Sequence, residues 1–440
     1  MRLPMEVVLL TIIGLGIIVA IVALLLTERV TPIIALSMVP LIGALVAGFG
    51  IGDIAEFFES GLQDVTNVAV MFIFAILFFG VLQDVGLFDP LINRVVALTR
   101  GNVIAVTMGT GVIGTIAHLD GSGASTFLIS IPALLPLYQR LRMSPYLLLL
   151  IVSASIGIMN LVPWAGPIGR AAAVTGISPT DLWRAMLPVQ VAGFVILMIF
   201  AALLGLREQR RIARLPASAD KPSTENVVAD AENGKALPPR FWLNLGIAIA
   251  TIGVLASGVM PPAYMFMLAL GVVLLANYPK PSQQMERIKA HAPGALMMAS
   301  IIAAAGAFLG ILSGTGMLES IATDLTRVLP QSMVPYLHLV IGVFGVPLDM
   351  LTSTDAYYFA LLPVVEQVAS TQGVPADSVV YAMAIGNNVG KMISPFSPAM
   401  WLALGLAGAE MGRHIRYSFG LLWLFSLVML GFAFAIGLLI

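Results

Sequence analysis

Apolar blocks about 20 residues long recur from one end of this 440-residue chain to the other. A block of that length crosses the hydrocarbon core of a bilayer as an α-helix, because each helical residue adds about 1.5 Å. Only 10% of the residues are charged, against roughly 25% in an average soluble domain. The pattern predicts an all-α polytopic membrane protein and excludes a soluble globular enzyme.

The composition also limits the chemistry of the chain. The formal net charge of -1 provides no basic surface for nucleic acid, and the sequence contains no cysteine. Disulfides, thiolate metal sites and cysteine nucleophiles are therefore excluded. The N-terminal stretch MRLPMEVVLLTIIGLG has no small-residue cleavage site after its apolar run, so it is expected to be a retained first span.

An internal repeat divides the chain. In the first half, LDGSGASTFLISIPALLP ends at Pro136 and is followed after 24 residues by Asn160 of NLVPWAGP. In the second half, LDMLTSTDAYYFALLP ends at Pro363 and is followed after 25 residues by Asn388 of NVGKMISP. Matched polar segments broken by Gly and Pro are typical of secondary transporters with inverted-topology repeats.

Each half is predicted to contain three spans, an amphipathic connector, a re-entrant hairpin, a discontinuous helix and a last span. The whole chain would then have about 10 transmembrane spans plus two hairpins. The predicted divisions are a first repeat over 1–206, a polar linker over 207–240 and a second repeat over 241–440. The connectors are Asp89 to Arg100 and Leu318 to Leu329, and the acidic stretch GIGDIAEFFESGLQD is expected to be a loop before a span from Val68 to Phe88.

The positions of Lys and Arg predict the orientation in the membrane. If the linker is cytoplasmic, 17 of the 22 basic residues lie on the cytoplasmic side. Arg2, Arg184 and Arg327 lie on the opposite side, and Arg170 and Lys391 lie in the membrane. This distribution follows the positive-inside rule, so both termini are expected outside and the linker inside.

A substrate site is predicted at the hairpin tips and helix breaks, because interrupted helices bring backbone ends to the middle of the membrane. The N-terminus of a returning helix carries roughly +0.5 of an elementary charge and free N–H groups, which bind carboxylate. Helix capping alone is the alternative role for the Ser and Thr residues. The predicted substrate-binding residues are Gly121, Ser122, Gly123, Ser125, Thr126, Asn160, Gly166, Pro167, Arg170, Thr352, Ser353, Thr354, Asn387, Asn388, Lys391 and Ser394.

Five charged residues inside apolar segments need a reason to be there, because a charge at the centre of a span costs about 2.5–3.5 kcal/mol on insertion scales. Arg170 and Lys391 are predicted to meet an anionic substrate or an ion-pair partner, although Arg170 can instead extend to the outer interface. Asp120, Asp349 and Asp355 are the predicted proton or cation coupling residues, because they would repel a polycarboxylate that arrived alone. The alternatives are capping for Asp120 and Asp355, and either capping or pairing with Lys391 for Asp349.

Three further features receive a structural interpretation. His118 has a titration range suited to proton transfer, but a single membrane histidine is more often a hydrogen-bonded packing residue, and His338 is expected to be structural. The GxGxxG match from Gly109 to Gly114 lies in an apolar helix with no preceding strand, so close helix packing explains it better than dinucleotide binding.

The first half contains LLTERVTPIIALSMVPLIGALVAGFG, FAILFFGVLQDVGLFDPLINRVVALTRG, LDGSGASTFLISIPALLPLY and GIMNLVPWAGPIGRAAAVTG. These stretches resemble the CitMHS family of bacterial citrate transporters, within the ion transporter superfamily. The likeness extends over nearly the whole chain and is most specific at the first hairpin, the PWAGPIGRA break and the STDAYYF tip.

The resemblance implies secondary uptake of citrate in a bacterial inner membrane, as a complex with a divalent metal such as Mg²⁺ or Ca²⁺ and in symport with protons. The metal would travel with the substrate, near Asp120 and Asp355, and the protein would need no cofactor of its own. The superfamily also implies a homodimeric elevator. Its scaffold would be residues 1–100 and 241–330, and its moving transport units would be residues 101–206 and 331–440.

Other functions stay open at this point. The sodium symporters of the superfamily carry Ser-Asn-Thr at both hairpin tips, whereas these tips contain GSGAST and TSTDAY, which favours protons or a metal-bound substrate over sodium. A sodium-coupled carrier of dicarboxylates, tricarboxylates or other organic anions is the main alternative. An anion channel would need a continuous hydrophilic pore, and a membrane enzyme would need a nucleophile with a partnered base.

Overall fold

The computed structural model describes residues 4–27, 29–99, 101–215, 237–395 and 397–440. All regular secondary structure in these ranges is helical, which confirms the predicted all-α class. Six of the described helices are long and apolar enough to cross a membrane, or seven if the bent pair Val334–Val343 and Gly345–Leu351 forms one span. Five shorter apolar helices accompany them. The predicted number of about 10 spans is larger than the number of described helices that are long enough to cross a membrane, and it stays a prediction.

The two halves contain the same order of elements, except that each limb of the second hairpin is divided into two helices. The first half consists of α1 (Pro4–Leu26), α2 (Pro32–Val46), α3 (Ile51–Asp84), α4 (Asp89–Thr99), α5 (Val103–Ala117), α6 (Gly123–Arg140), α7 (Pro145–Met159), α8 (Gly166–Thr175) and α9 (Pro179–Ala213). The second half consists of α10 (Phe241–Ser257), α11 (Pro262–Asn277), α12 (Pro281–Gly314), α13 (Met317–Val328), α14 (Leu337–Val343), α15 (Gly345–Leu351), a π-helix (Ala356–Leu361), α16 (Leu362–Ser370), α17 (Ala376–Gly386), α18 (Pro398–Ala407) and α19 (Met411–Ala435). The two predicted amphipathic connectors are confirmed as α4 and α13.

Both hairpin tips and both helix breaks occur at the predicted places. The first tip follows a short 3-10 turn, His118–Asp120, and precedes α6. The second tip lies between α15 and the π-helix, in a hairpin whose first limb bends by 67°. The breaks separate α7 from α8 and α17 from α18. The inversion of one half relative to the other across a bilayer stays a prediction.

Helices α3 and α12 are each 34 residues long, and α3 corrects one prediction. The stretch GIGDIAEFFESGLQD, expected to be a loop, forms the first turns of α3. Its buried residues Ile54, Gly61 and Val65 recur at helical spacing and face the second half of the chain. A Cβ atom at Gly61 would lie 2.1 Å from the carbonyl oxygen of Gly306 in α12, so the two backbones touch there. This long-range packing explains why an acidic, loop-like segment is helical.

Helices of each half pack against helices of the other half. Helix α3 packs against α12 at the centre, while α2 packs on α12 and α11 packs on α3. In the same reciprocal way, α6 packs on α18, and α8 packs on the π-helix and α16. The returning helix of each hairpin therefore meets the broken helix of the other half, which brings the tips and the breaks together.

The predicted linker needs a second correction. Helix α9 continues to Ala213, so residues 207–213 of the predicted linker are helical, and α10 begins at Phe241. Residues 216–236 lie outside the described residues. Four of the basic residues used to predict the orientation in the membrane also lie outside them: Arg2, Arg100, Lys221 and Lys235. The division into scaffold and transport units stays a prediction.

Candidate functional site

A cavity of about 540 Å³ lies where the first hairpin tip, both helix breaks and helices α3 and α12 meet. The predicted site residues that line it are Asp120, Gly121, Ser122, Gly123, Ser125, Asn160, Gly166, Pro167, Arg170, Thr354 and Lys391. The structure therefore gathers most of the first tip, the first break and one residue each from the second tip and second break.

The first tip folds through local hydrogen bonds. Gly121 has a φ of +73°, a left-handed conformation that favours glycine and ends the 3-10 turn. The backbone N–H of Ser122 donates to Asp120 Oδ1 at 2.8 Å. The hydroxyl oxygen of Ser122 accepts a 3.4 Å hydrogen bond from the N–H of Ser125, so Ser122 rather than Asp120 caps α6. Asp120 thus shapes the tip and still faces the cavity.

Three helix N-termini line the cavity. Helix α6 begins at Gly123, α8 begins at Gly166 and α18 begins at Pro398, and all three residues contribute to the cavity wall. Each N-terminus is the positive end of a helix dipole and carries N–H groups without a partner inside the helix. Their convergence on one cavity makes it suitable for an anion.

Lys391 adds a basic side chain to this cavity. Among the residues that the structure describes, none forms an ion pair or a hydrogen bond with its ammonium group. The side chains that interact electrostatically with it are those of Arg170, Asp355 and Asp349. A cation in a membrane cavity without a bonded partner is suited to an anionic ligand.

Arg170 has its own partner. Its Nε and Nη2 atoms both lie 2.7 Å from Oδ1 of Asp355, and the two side chains are largely buried. This ion pair joins the first break to the second hairpin, and it accounts for a buried Arg170 without extension to the membrane surface. Asp355 is therefore engaged and lies outside the cavity wall.

Asp349 is buried near Lys391 but does not form an ion pair with it. Its Oδ2 atom accepts a 3.5 Å hydrogen bond from Thr354, and its Oδ1 atom has no hydrogen-bond partner among the described residues. The predicted alternative, an ion pair between Asp349 and Lys391, is therefore not found among the described residues.

A buried hydrogen-bond chain connects the tip with both breaks. Nδ1 of His118 lies 2.6 Å from the hydroxyl oxygen of Thr126, and Nε2 lies 3.3 Å from Oδ1 of Asn160. The side-chain amide of Asn160 donates to the carbonyl of Asn388 at 2.9 Å. The network holds the first hairpin against the crossing of the two breaks, which agrees with the packing role expected of His118.

The remaining predicted residues stand behind the cavity wall. Ser353 accepts a hydrogen bond from the N–H of Ala356 at 3.2 Å, and Thr352 donates to the carbonyl of Leu348 at 2.8 Å. The predicted residues that do not line the cavity are Thr126, Thr352, Ser353, Asn387, Asn388, Ser394, Asp349 and Asp355. At the second tip, the capping role of Ser353 is the one that the contacts support.

The prediction missed the wall that α3 and α12 supply. Gln83 and His291 line the cavity from those helices, and Nε2 of His291 lies 2.9 Å from Oδ2 of Asp84. Gly80 makes room for the imidazole, because a Cβ there would lie 2.5 Å from the ring. Trp164, in the first break, donates to the carbonyl of Leu119 at 2.7 Å. The sequence signal for this wall is Gln83, a polar residue that follows a long apolar block.

Comparison with known proteins identifies the family. The model of the CitMHS family, described as "Citrate transporter", matches residues 5–386. A protein of Bacillus subtilis named "Citrate transporter" is 34% identical over 409 residues, which are 93% of this chain and 94% of that protein. The "Mg(2+)/citrate complex secondary transporter" of the same organism is also 34% identical, over 432 residues, 97% of this chain and 98% of that protein.

A solved structure shares the fold. The YdaH transporter of Alcanivorax borkumensis, whose crystal structure is described as having an unusual topology, superimposes with a TM-score of 0.61 at 16% identity. The match covers 88% of this chain and 90% of that one. The family match, the two relatives and the polytopic helical fold agree with the resemblance predicted from the sequence and with the absence of enzymatic chemistry. The chain is a member of the CitMHS family of citrate transporters.

Proposed function

We propose that the cavity binds citrate as a complex with a divalent metal ion, and that the chain takes up this complex in symport with protons. The observation that carries the proposal is the meeting of unpaired Lys391 with three helix N-termini in one cavity. These groups suit carboxylates. The second Bacillus subtilis relative is named as a transporter of the Mg(2+)/citrate complex, which supports the metal-bound form.

Asp120 is the proposed contact for the metal side of the complex. It lines the same cavity as Lys391, and no described basic residue forms an ion pair with it. Oxygen ligands are those that Mg²⁺ and Ca²⁺ prefer, and Mg²⁺ is commonly held by one or two protein carboxylates plus its substrate. Asp355 is a weaker candidate for this role because its carboxylate already forms an ion pair with Arg170.

Asp349 is the proposed proton carrier. Its carboxyl is buried behind the cavity wall, and one of its oxygens lacks a hydrogen-bond partner among the described residues. A proton on that oxygen would remove a negative charge next to the anion site when the substrate binds. Sodium coupling of an organic-anion carrier is the alternative, in which the same acids hold sodium.

The proposed movement is that of an elevator. The hairpins and broken helices would move together, since α6 packs on α18 and α8 packs on the π-helix, while the α3 and α12 crossing would stay fixed. We further propose a homodimer in a bacterial inner membrane, with both termini outside and the linker in the cytoplasm. The reciprocal packing of the two halves supports the inverted repeat that this arrangement needs.

Uptake of labelled citrate into proteoliposomes tests the function. We expect saturable uptake that requires Mg²⁺, Ca²⁺ or another divalent cation and that follows an imposed proton gradient. A sodium gradient without a proton gradient should not drive it. Metal-independent uptake driven by sodium would contradict the proposal and favour the sodium-coupled alternative.

A further inference from the structure

A second cavity, of about 720 Å³, lies at the C-terminal end of α9 and shares no lining residue with the proposed citrate site. Its wall consists of Ser144, Leu203, Leu206, Arg207, Glu208, Arg210, Arg211, Arg214, Leu215 and Tyr417. We propose that this cavity binds the phosphate headgroup of an anionic phospholipid, with an acyl chain lying on the adjacent leucines.

The cavity has an excess of positive charge. Glu208 is the one acid among the described residues of its wall, and it is already neutralised, because Nη2 and Nε of Arg211 lie 2.7 and 2.9 Å from its two carboxylate oxygens. The guanidinium groups of Arg207, Arg210 and Arg214 form no hydrogen bond or ion pair with any described residue. Three guanidinium groups therefore remain for an external anion, and guanidinium forms paired hydrogen bonds with phosphate.

The arginines stand on a rigid support. Glu208 is only 4% exposed, and besides Arg211 it accepts a hydrogen bond from the backbone N–H of Ser144 at 2.6 Å. Arg211 also donates to the carbonyl of Arg142 at 2.6 Å. These bonds fix the end of α9 against the turn before α7, so the basic face has a defined position.

The apolar surface next to the arginines indicates a lipid rather than a soluble phosphate. Val191, Val195, Ile199 and Leu203 follow one another at intervals of four residues along α9, with exposed fractions of 61, 53, 56 and 59%. One turn further, the same face carries Arg207, and then Arg210 and Arg214. Four helical residues rise about 6 Å, so a molecule with a phosphate at the arginines and a hydrocarbon chain along the helix contacts both surfaces.

The location fits this ligand. In the proposed orientation the end of α9 emerges at the cytoplasmic surface, where anionic lipids attract basic segments. The lipid site depends on that orientation for its leaflet but not on citrate transport. Failure of one proposal therefore leaves the other intact.

Native mass spectrometry of the purified full chain, titrated with phosphatidylglycerol or phosphatidylcholine, tests the site. We expect phosphatidylglycerol to bind and phosphatidylcholine not to bind. The triple variant Arg207→Gln/Arg210→Gln/Arg214→Gln should bind phosphatidylglycerol about a hundredfold more weakly, from the usual contribution of three basic residues near a membrane surface. A matched variant, Arg94→Gln/Lys280→Gln/Lys289→Gln, removes three exposed charges elsewhere on the predicted cytoplasmic side and should bind normally.

Two further arms separate a lipid from a free anion. Leu203→Ala/Leu206→Ala should weaken phosphatidylglycerol binding while all four arginines remain, and excess inorganic phosphate should fail to displace the lipid. The proposal is overturned if the arginine variant binds like the wild type, if the matched variant loses binding equally, or if phosphate alone displaces the lipid and the leucine variant has no effect. A thermal unfolding curve that matches the wild type confirms that the arginine variant is folded.

Discussion

Replacement of Lys391 by Gln isolates the charge that the proposed citrate site depends on. A hydrogen bond to a charged group contributes about 1.5–3 kcal/mol, so loss of the ammonium group should raise the half-saturating concentration of the citrate complex about ten- to a hundredfold. No described acid is ion-paired to Lys391, so the variant leaves no orphaned partner. The free energy of unfolding should therefore stay the same or increase, because a buried charge has been removed.

The assay is citrate uptake in proteoliposomes over a range of citrate concentrations at fixed Mg²⁺, together with a thermal unfolding curve of each variant. Lys280→Gln is the control, since this exposed residue loses the same charge and neither it nor its sequence neighbours line the cavity. An unchanged half-saturating concentration in Lys391→Gln would refute the site. A loss of stability in Lys391→Gln would instead show that the lysine has a structural partner.

Three other predictions follow from the contacts. Arg170→Gln should destabilise the protein by about 3–5 kcal/mol, because it leaves Asp355 buried without its partner, and thermal unfolding of Arg170→Gln/Asp355→Asn should show partial recovery. Gly61→Ala should cost about 1–3 kcal/mol by forcing α3 away from α12, whereas Gly246→Ala, with no atom within 4 Å of the added Cβ, should be neutral or slightly stabilising in the same assay. Chelation of divalent cations with EDTA should abolish citrate uptake, and addition of Mg²⁺ should restore it; uptake that persists in EDTA would exclude a metal-bound substrate.

The sequence allowed the helical class, the repeated order of elements and the positions of the tips and breaks to be predicted. Those features depend on local patterns: Pro167 and Pro395 each follow an Asn by seven residues and interrupt apolar segments at matched places in the two halves. The short connectors α4 and α13 were likewise evident from their amphipathic character. Local patterns determine where a helix can form and where it must stop.

Long-range packing explains what was missed. The acidic first turns of α3 looked like a loop because the surface that buries Gly61, the backbone of α12, lies more than two hundred residues away in the chain. The pairing of Arg170 with Asp355 joins opposite halves, and no spacing rule distinguishes that partner from Asp349. His291 was overlooked for the same reason, since its place in the cavity depends on the space that Gly80 leaves.

Calorimetric titration of the purified protein with citrate, in the presence and absence of Mg²⁺, tests whether this cavity binds a citrate–metal complex. We expect a saturable binding isotherm for citrate with Mg²⁺, little or no heat for citrate alone, and an isotherm weakened about ten- to a hundredfold in Lys391→Gln. Equal binding of citrate with and without Mg²⁺, or equal binding by wild type and Lys391→Gln, would contradict the proposal that this cavity holds a citrate–metal complex.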